Sequence, residues 1–324
     1  MATNLVTGAT GLVGFNIVEA LRVRGQSVRV LVRDPARARE LLPGGSVEIV
    51  RGDVTDSASV RSAMEGCDVV YHSAGLPEQW LSDPGRFAVV NVGGTRNIVD
   101  AAISLGVERL VYTSTIDVFD AAHGQDYDES VLAGAPKGTP YERSKQDAER
   151  VVLEALQRGL DAVLLHPSAV YGPGPRVSKT LNDLLEGLYR GTVPVLLPGG
   201  MPVVYAADVG EGHVLARERA AAGDRFILSE SYWSLDAMAA AVTKRSRFAK
   251  VPMVAPLPAV KVLALLGGLV SRLTRTPPLV TSEQIHFLSW GAKPDAGRAK
   301  RELGWQPTAF LAGLDATFAA LDEG

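Results

Sequence analysis

Cysteine is almost absent from this chain of 324 residues, whose single thiol is Cys67. One cysteine excludes an intrachain disulfide and cannot by itself build a thiolate metal site; such usage suits a reducing compartment, so a cytoplasmic location is expected. Positive charge is not in excess either. Lys and Arg number 33 against 36 Asp and Glu, a formal net of −3, which leaves no basic field to hold a nucleic-acid backbone. Neither a nucleic-acid partner nor a metal is expected. Residues 1–7 show no basic leader and no hydrophobic signal core, so export is not expected. Bilayer-spanning runs are lacking as well. The nearest case, 253–270, is interrupted by Lys261 and carries Pro256 and Pro258 near its start; it reads as a buried or amphipathic helix of a substrate domain in preference to a membrane-surface contact. Repeats and low-complexity tracts are missing too. What is present is 46% hydrophobic residues over a length that supports one elaborate domain or two intimate ones.

Short β-branched runs at 5–7, 28–32, 47–50, 69–71, 110–112 and 162–165 alternate with longer helical patterns. Runs apolar on both faces and separated by helices predict a parallel sheet covered on both sides, a doubly wound Rossmann-type α/β fold with right-handed crossovers. Ligands of that fold bind outside the carboxyl ends of the strands, so the residues after each run are the ones to inspect. Beyond Pro167, turn-rich segments at 171–175 and 194–202 flank a helical stretch at 181–189. A strand-like 202–205 and a helical 208–220 follow. The expected division is a nucleotide-binding domain over 1–166 with a return at about 202–222, and a smaller mixed α/β substrate lobe formed by 167–201 and 223–324.

Behind the first strand stands Thr7-Gly8-Ala9-Thr10-Gly11-Leu12-Val13-Gly14, with a helix pattern starting at once. Glycine lets the backbone turn tightly and approach a pyrophosphate, and the helix N-terminus offers unpaired N–H groups and partial positive charge. The spacing, Gly-x-x-Gly-x-x-Gly, is one residue longer than the common dinucleotide fingerprint. Gly8, Thr10, Gly11, Leu12 and Val13 are the candidate phosphate contacts. After the second strand a carboxylate would read a free ribose 2′-hydroxyl and an arginine a 2′-phosphate. Here Arg33 and Arg37 flank Asp34, which comes one or two places late for the hydroxyl, so NADP(H) is favoured over NAD(H). Asp53, after the third strand, is placed either to accept from an adenine amino group or to make an ordinary turn or N-cap.

Tyr141 and Lys145 stand four apart in a helix-like stretch, which puts a phenol and an ammonium on one face. A fixed cation favours the ionised form of a nearby phenol and brings an ordinarily weak acid toward the range where it can exchange a proton.

These residues, with Gly52-Asp53-Val54, Ser73-Ala74-Gly75, Asn91-Val92-Gly93-Gly94-Thr95, Tyr112-Thr113-Ser114-Thr115, the stretch His166 to Gly174 and Arg301-Glu302-Leu303-Gly304-Trp305, resemble the extended short-chain dehydrogenase/reductases over nearly the whole chain. The resemblance is greatest to their dihydroflavonol-reductase and 3β-hydroxysteroid-dehydrogenase-like branch. It implies a catalytic set of a Ser or Thr after the fifth strand, a Tyr and a Lys: Thr115, with Ser114 the neighbouring alternative, Tyr141 and Lys145. It further implies that Val54, Ser73, Ala74, Gly75, Thr113, Ser114, Tyr141, Lys145, Pro167 and Val170 line the cofactor, and that the protein is a homodimer. Asp117 occupies the second place of the acidic pair of sugar dehydratases, but Ile116 replaces the first, which argues against dehydration. His166 and His72 read as structural, and Asp117 as a loop carboxylate.

The expected function is NADP(H)-dependent hydride transfer between a nicotinamide and a ketone or secondary alcohol of a small, fairly apolar substrate. Trp80, Leu81, Leu184, Leu188, Leu196 and the apolar 251–266 are its expected lining. A nucleotide-sugar 4-epimerase, with Arg176 and Lys179 as its diphosphate contacts, and a non-catalytic dinucleotide-binding protein are the alternatives.

Overall fold

The computed structural model describes residues 3–42, 47–77, 80–175, 181–246, 250–274, 276, 278 and 280–322. Strands and helices alternate from the start: β1 (Thr3–Thr7), α1 (Leu12–Val23), β2 (Ser27–Val32), α2 (Pro35–Leu41), β3 (Val47–Arg51), α3 (Ser57–Met64) and β4 (Val69–His72). A single turn α4 (Gly85–Phe87) passes through a π-helical stretch, Ala88–Gly93, into α5 (Gly94–Leu105), followed by β5 (Arg109–Thr113), β6 (Asp126–Tyr127), α6 (Pro140–Gln157) and β7 (Ala162–Pro167). The second half contains β8 (Ala169–Tyr171), α7 (Leu181–Tyr189), β9 (Val195–Leu196), β10 (Gly200–Tyr205), α8 (Ala206–Arg219), β11 (Arg225–Leu228), β12 (Ser231–Ser234) and α9 (Leu235–Thr243). It ends with β13 (Met253–Val254), α10 (Leu257–Thr274), α11 (Ser282–Trp290), β14 (Lys293–Pro294), α12 (Gly297–Glu302) and α13 (Phe310–Asp322).

The large sheet has seven parallel strands in the order β11-β7-β5-β4-β1-β2-β3. Alternate side chains of each strand feed two separate cores. Val6, Val30, Tyr71, Val111 and Val163 face α1 and α8, while Leu5, Leu31, Val70, Leu110 and Leu164 face α3, α5 and α6. Such two-sided burial explains why the inner strands are predominantly apolar, while the edge strand β3 carries Glu48 and is only half-buried. The order reverses between β1 and β4, and the crevice at that switch point is where the fold binds ligands.

Arg225–Leu228 was expected in the substrate lobe but is the edge strand of the large sheet, pairing with β7. The return segment also divides: β10 joins β8 and β12 in a three-stranded sheet, and only α8 packs on the nucleotide side. That packing is close, because a Cβ on Gly210 would lie 2.3 Å from the Asn16 carbonyl oxygen. Beside the small sheet, Leu185, Leu188, Leu196, Met238 and Phe310 form a third core with Leu184 against it. Three of the leucines expected to line a substrate are thereby packed into or against this core. Of the apolar 251–266, Val251, Met253, Val262, Leu263, Leu265 and Leu266 are exposed, while Val260 and Ala264 are buried.

Candidate active site

At the β1–α1 turn Gly8 adopts φ +73°, and a Cβ there would sit 2.7 Å from the Ala74 nitrogen. The turn therefore lies directly on the end of β4, tied by Ser73 Oγ donating to the Thr7 carbonyl at 2.8 Å. Gly14 is as confined, its missing Cβ falling 2.3 Å from the Gly8 oxygen. Gly11 is the N-cap of α1 and no side chain caps this end, so the first-turn N–H groups of Leu12 and Val13 have no acceptor inside the helix and face the crevice edge beside Thr10. The cradle fits a pyrophosphate.

The adenosine end follows from α2. Asp34 is the N-cap of that helix and accepts from the Ala36 and Arg37 nitrogens at 3.0 and 3.2 Å, which engages its carboxylate locally, while Arg33 and Arg37 are exposed. Asp53 likewise accepts from Thr55 N and Thr55 Oγ1, both at 2.9 Å, in a turn closed on itself. Val54 is held through its carbonyl by Asn97 Nδ2 at 2.8 Å. The loop Ser73-Ala74-Gly75 is positioned by Asn91, whose Oδ1 accepts from Leu76 N at 2.8 Å. Pro167 ends β7 and Val170 is half-buried in β8.

Helix α6 begins with a Thr139–Glu142 capping box and Pro140, which fixes where Tyr141 emerges. Tyr141 is half-buried with its ring edge-on to Phe87 at 6.1 Å. One turn on, the buried Lys145 ammonium donates to the Thr113 carbonyl at 2.7 Å and to the Tyr112 hydroxyl at 3.2 Å, and lies 4.9 Å from the Tyr112 ring centre. Burial pushes its pKa down to about 8, with Glu149 and Asp117 pulling the other way. The same helix face thus clamps the end of β5.

Ser114 and Thr115 differ in what they touch. Ser114 Oγ donates to Glu149 Oε2 at 2.5 Å, away from Tyr141 into a buried cluster where Glu149 also meets His166 Nε2 at 3.0 Å and Arg225 Nε at 3.3 Å. Burial would raise the Glu149 carboxyl, but His166, Ser114 and Arg225 together hold it at about 2. Thr115 instead donates to Asp117 Oδ2 at 3.0 Å. Asp117 is buried and pushed up to about 6 by burial and by Glu142; reading it as a plain loop carboxylate undervalued it. It lines a pocket of about 160 Å³ together with Asp120, Lys137, Glu142, His286 and Trp290.

His72 is structural, held by Thr7 Oγ1 at 2.7 Å and Thr95 Oγ1 at 3.1 Å, with its pKa pushed down to about 3 by burial and Lys145. His166 is buried beside the Phe119 ring as well as Glu149. Sequence reasoning missed Glu149, although it continues the Tyr141–Lys145 spacing by one more turn. It also missed the pocket residues on α11, which nothing local connects to the catalytic helix. Arg176 and Lys179 lie outside the described residues. Among the described residues no group of three His, Cys, Asp or Glu could hold a metal ion.

Residues 4–228 match the model of the NAD-dependent epimerase/dehydratase family, and the chain belongs to that family of nicotinamide-dinucleotide enzymes. At full length it is similar to sterol demethylase protein B of Methylococcus capsulatus, with 32% identity covering 96% of this chain and 95% of that protein. A putative dihydroflavonol 4-reductase of Synechocystis is 33% identical over 92% of this chain and 88% of its own length. Among solved structures, gox2253 superimposes with a TM-score of 0.83 at 28% identity, covering 100% of this chain and 98% of that one. The chain is accordingly an oxidoreductase of the extended short-chain dehydrogenase/reductase type.

Proposed function

We propose that this enzyme uses NADP(H) to interconvert a ketone and a secondary alcohol on a fairly apolar substrate, with Tyr141 as general acid/base. The observation that carries the reading is the buried Lys145 ammonium, one helical turn from Tyr141 and fixed to the end of β5 by the carbonyl of Thr113, which stands two residues before Thr115. A bound nicotinamide supplies or accepts the hydride. Tyr141 gives a proton to the substrate oxygen in reduction and takes it back in oxidation, and the Lys145 cation stabilises the phenolate left behind. Thr115 orients the same oxygen, exchanging Asp117 for the substrate as its hydrogen-bond acceptor. Backbone N–H groups of Leu12 and Val13 hold the pyrophosphate, and Arg33 with Arg37 the 2′-phosphate. The substrate side is assigned to 167–201 and the segments beyond β11. A homodimer and a cytoplasmic location complete the reading.

An apolar substrate is supported by relatives whose names point to sterols and dihydroflavonols, and the pocket bears on the epimerase alternative. Ala121, Phe287 and Trp290 share it with Asp117, Asp120 and Glu142, while the Lys137 ammonium is already engaged by the Phe119 carbonyl at 2.7 Å. Three carboxyl groups against the one lysine leave the pocket with an acidic excess, which disfavours a nucleotide diphosphate and with it the epimerase alternative.

NADPH absorbance followed with a panel of apolar ketones tests the proposal. Net NADPH loss is expected; isomerisation of a nucleotide sugar without net cofactor turnover would overturn it. In Arg33→Asp, kcat/KM for NADPH should fall by about 10–100-fold, the worth of charge-assisted bonds to a phosphate, with NADH use unchanged or improved. An equal loss with both cofactors would remove Arg33 from the 2′-phosphate site. The two hydroxyls separate in the same assay. Thr115→Val is expected to lower kcat by about 10²-fold, as loss of one donor to a reacting oxygen does, whereas Ser114→Ala should act mainly on stability, by about 1 kcal/mol. The reverse ranking would move the catalytic hydroxyl to Ser114.

A further inference from the structure

Among the described residues the outer face of α10 is mostly apolar, with Lys261 its one charged side chain before Gly267, unlike the polar surface that water-facing helices carry. Val260, Ala264 and Ser271 point inward and are buried, and the first two pack with Val280 and with Ile285 of α11. Outward, Val262, Leu263, Leu265 and Leu266 are 47–67% exposed. Alongside, the β9–β13 ribbon pairs Met253 with Val195, and both are exposed. Nine of the thirteen exposed large hydrophobic residues among the described residues lie on α10, this ribbon or Val251 just before it. A concentration of that kind marks a surface that something covers.

The charge around the surface indicates what. Between Asp236 and Glu283 the sequence holds not one Asp or Glu, in a chain whose net charge is −3, and of its seven Lys or Arg in that span Arg245 is paired with Asp315. Lys250 and Lys261, next to the apolar residues, are exposed. A second copy seated here about a two-fold axis would set positive charge against positive charge. An anionic lipid surface matches both halves of the pattern, apolar side chains for the acyl boundary and lysines for the headgroups. No helix among the described residues is long and apolar enough to cross a membrane.

We propose that α10 and the β9–β13 ribbon form a docking face on which the protein lies against an anionic bilayer surface. Helix α11, packed against α10, contributes His286, Phe287 and Trp290 to the pocket beside the catalytic helix. A lipid-dissolved substrate would then enter from the covered side; this consequence, unlike the docking, rests on the apolar-substrate reading.

The test is co-sedimentation of the full chain with vesicles of phosphatidylcholine alone and of phosphatidylcholine mixed with phosphatidylserine. The protein should pellet several-fold more with the anionic vesicles and be released by salt. Leu265→Glu/Leu266→Glu should abolish pelleting, and Lys261→Glu should weaken it by about tenfold. Both variants change exposed residues, so thermal melting should be unaltered. Failure of the full chain to pellet with anionic vesicles overturns the proposal, as does pelleting that the double variant leaves intact. If instead the double variant only lowers the oligomeric mass without vesicles, a second copy covers the face. NADPH consumption with a water-soluble ketone should be the same in this variant, so loss of reductase activity and loss of docking are read separately.

Discussion

Tyr141→Phe is expected to lower kcat by about 10²–10⁴-fold, the usual contribution of a positioned general acid or base, with the dissociation constant for NADPH changed by less than about threefold. Phe keeps the edge-on packing against Phe87 and removes only the hydroxyl, so the helix and the Lys145 anchor stay as they are. A loss confined to kcat matches a group that acts in the transition state. Stopped-flow or single-turnover measurement with saturating NADPH checks the chemical step, and fluorescence titration checks cofactor binding. If NADPH affinity falls in parallel with turnover, the phenol belongs to the cofactor site and is not the proton donor. If turnover is within a few-fold of the parent, another group supplies the proton.

The large sheet was legible in the sequence because strands covered on both faces are rich in apolar, β-branched residues; six of its seven strands show this, although Arg29 interrupts β2 and Glu48 the half-exposed edge strand β3. The seventh, Arg225–Leu228, is a four-residue edge strand that follows a turn and lies beyond the strand–helix alternation, so no pattern set it apart from the lobe behind it. Composition did not give the orientation of 251–266. Apolar residues near a substrate lobe read as lining, yet a run of leucines does not say which side of a helix is covered, and here the leucines face out. Within the site, the Gly8 turn, Tyr141 and Lys145 were legible because each combines a local geometric need with a chemical one. The pocket was not, since Asp117, Glu142 and His286 converge from segments far apart in sequence. Glu149 was hidden differently: a carboxylate on an amphipathic helix ordinarily faces water, and only the fold brings His166 and Arg225 onto it.

Removing that carboxylate should have two separable consequences. Glu149 is 3% exposed and held at about 2, against an ordinary 4.5, by His166, Ser114 and Arg225 despite its burial. Its partners would be left with uncompensated charge and unmade bonds, so Glu149→Leu is expected to cost about 3–5 kcal/mol, measured by urea or thermal unfolding near neutral pH. A folded-state pKa below the unfolded one means that this stabilisation is complete above about 4.5 and is lost as pH falls toward about 2. The stability gap between parent and Glu149→Gln should therefore shrink over that window. Asp117, raised from 3.8 to about 6, works with the opposite sign, its cost being relieved as pH falls through 6, and it cancels from the comparison because both proteins contain it. The second consequence is kinetic, and it is what separates a positioning residue from a purely structural one. Lys145 lies one turn from Glu149, and burial pushes it down to about 8 with Glu149 pulling it up. Without the carboxylate the ammonium should lose its proton earlier, moving the alkaline limb of the kcat profile for ketone reduction acidward by about one unit. An unmoved limb in a folded Glu149→Gln protein would confine Glu149 to stability, and Lys145 would then owe its charge to Asp117 and to the Thr113 carbonyl.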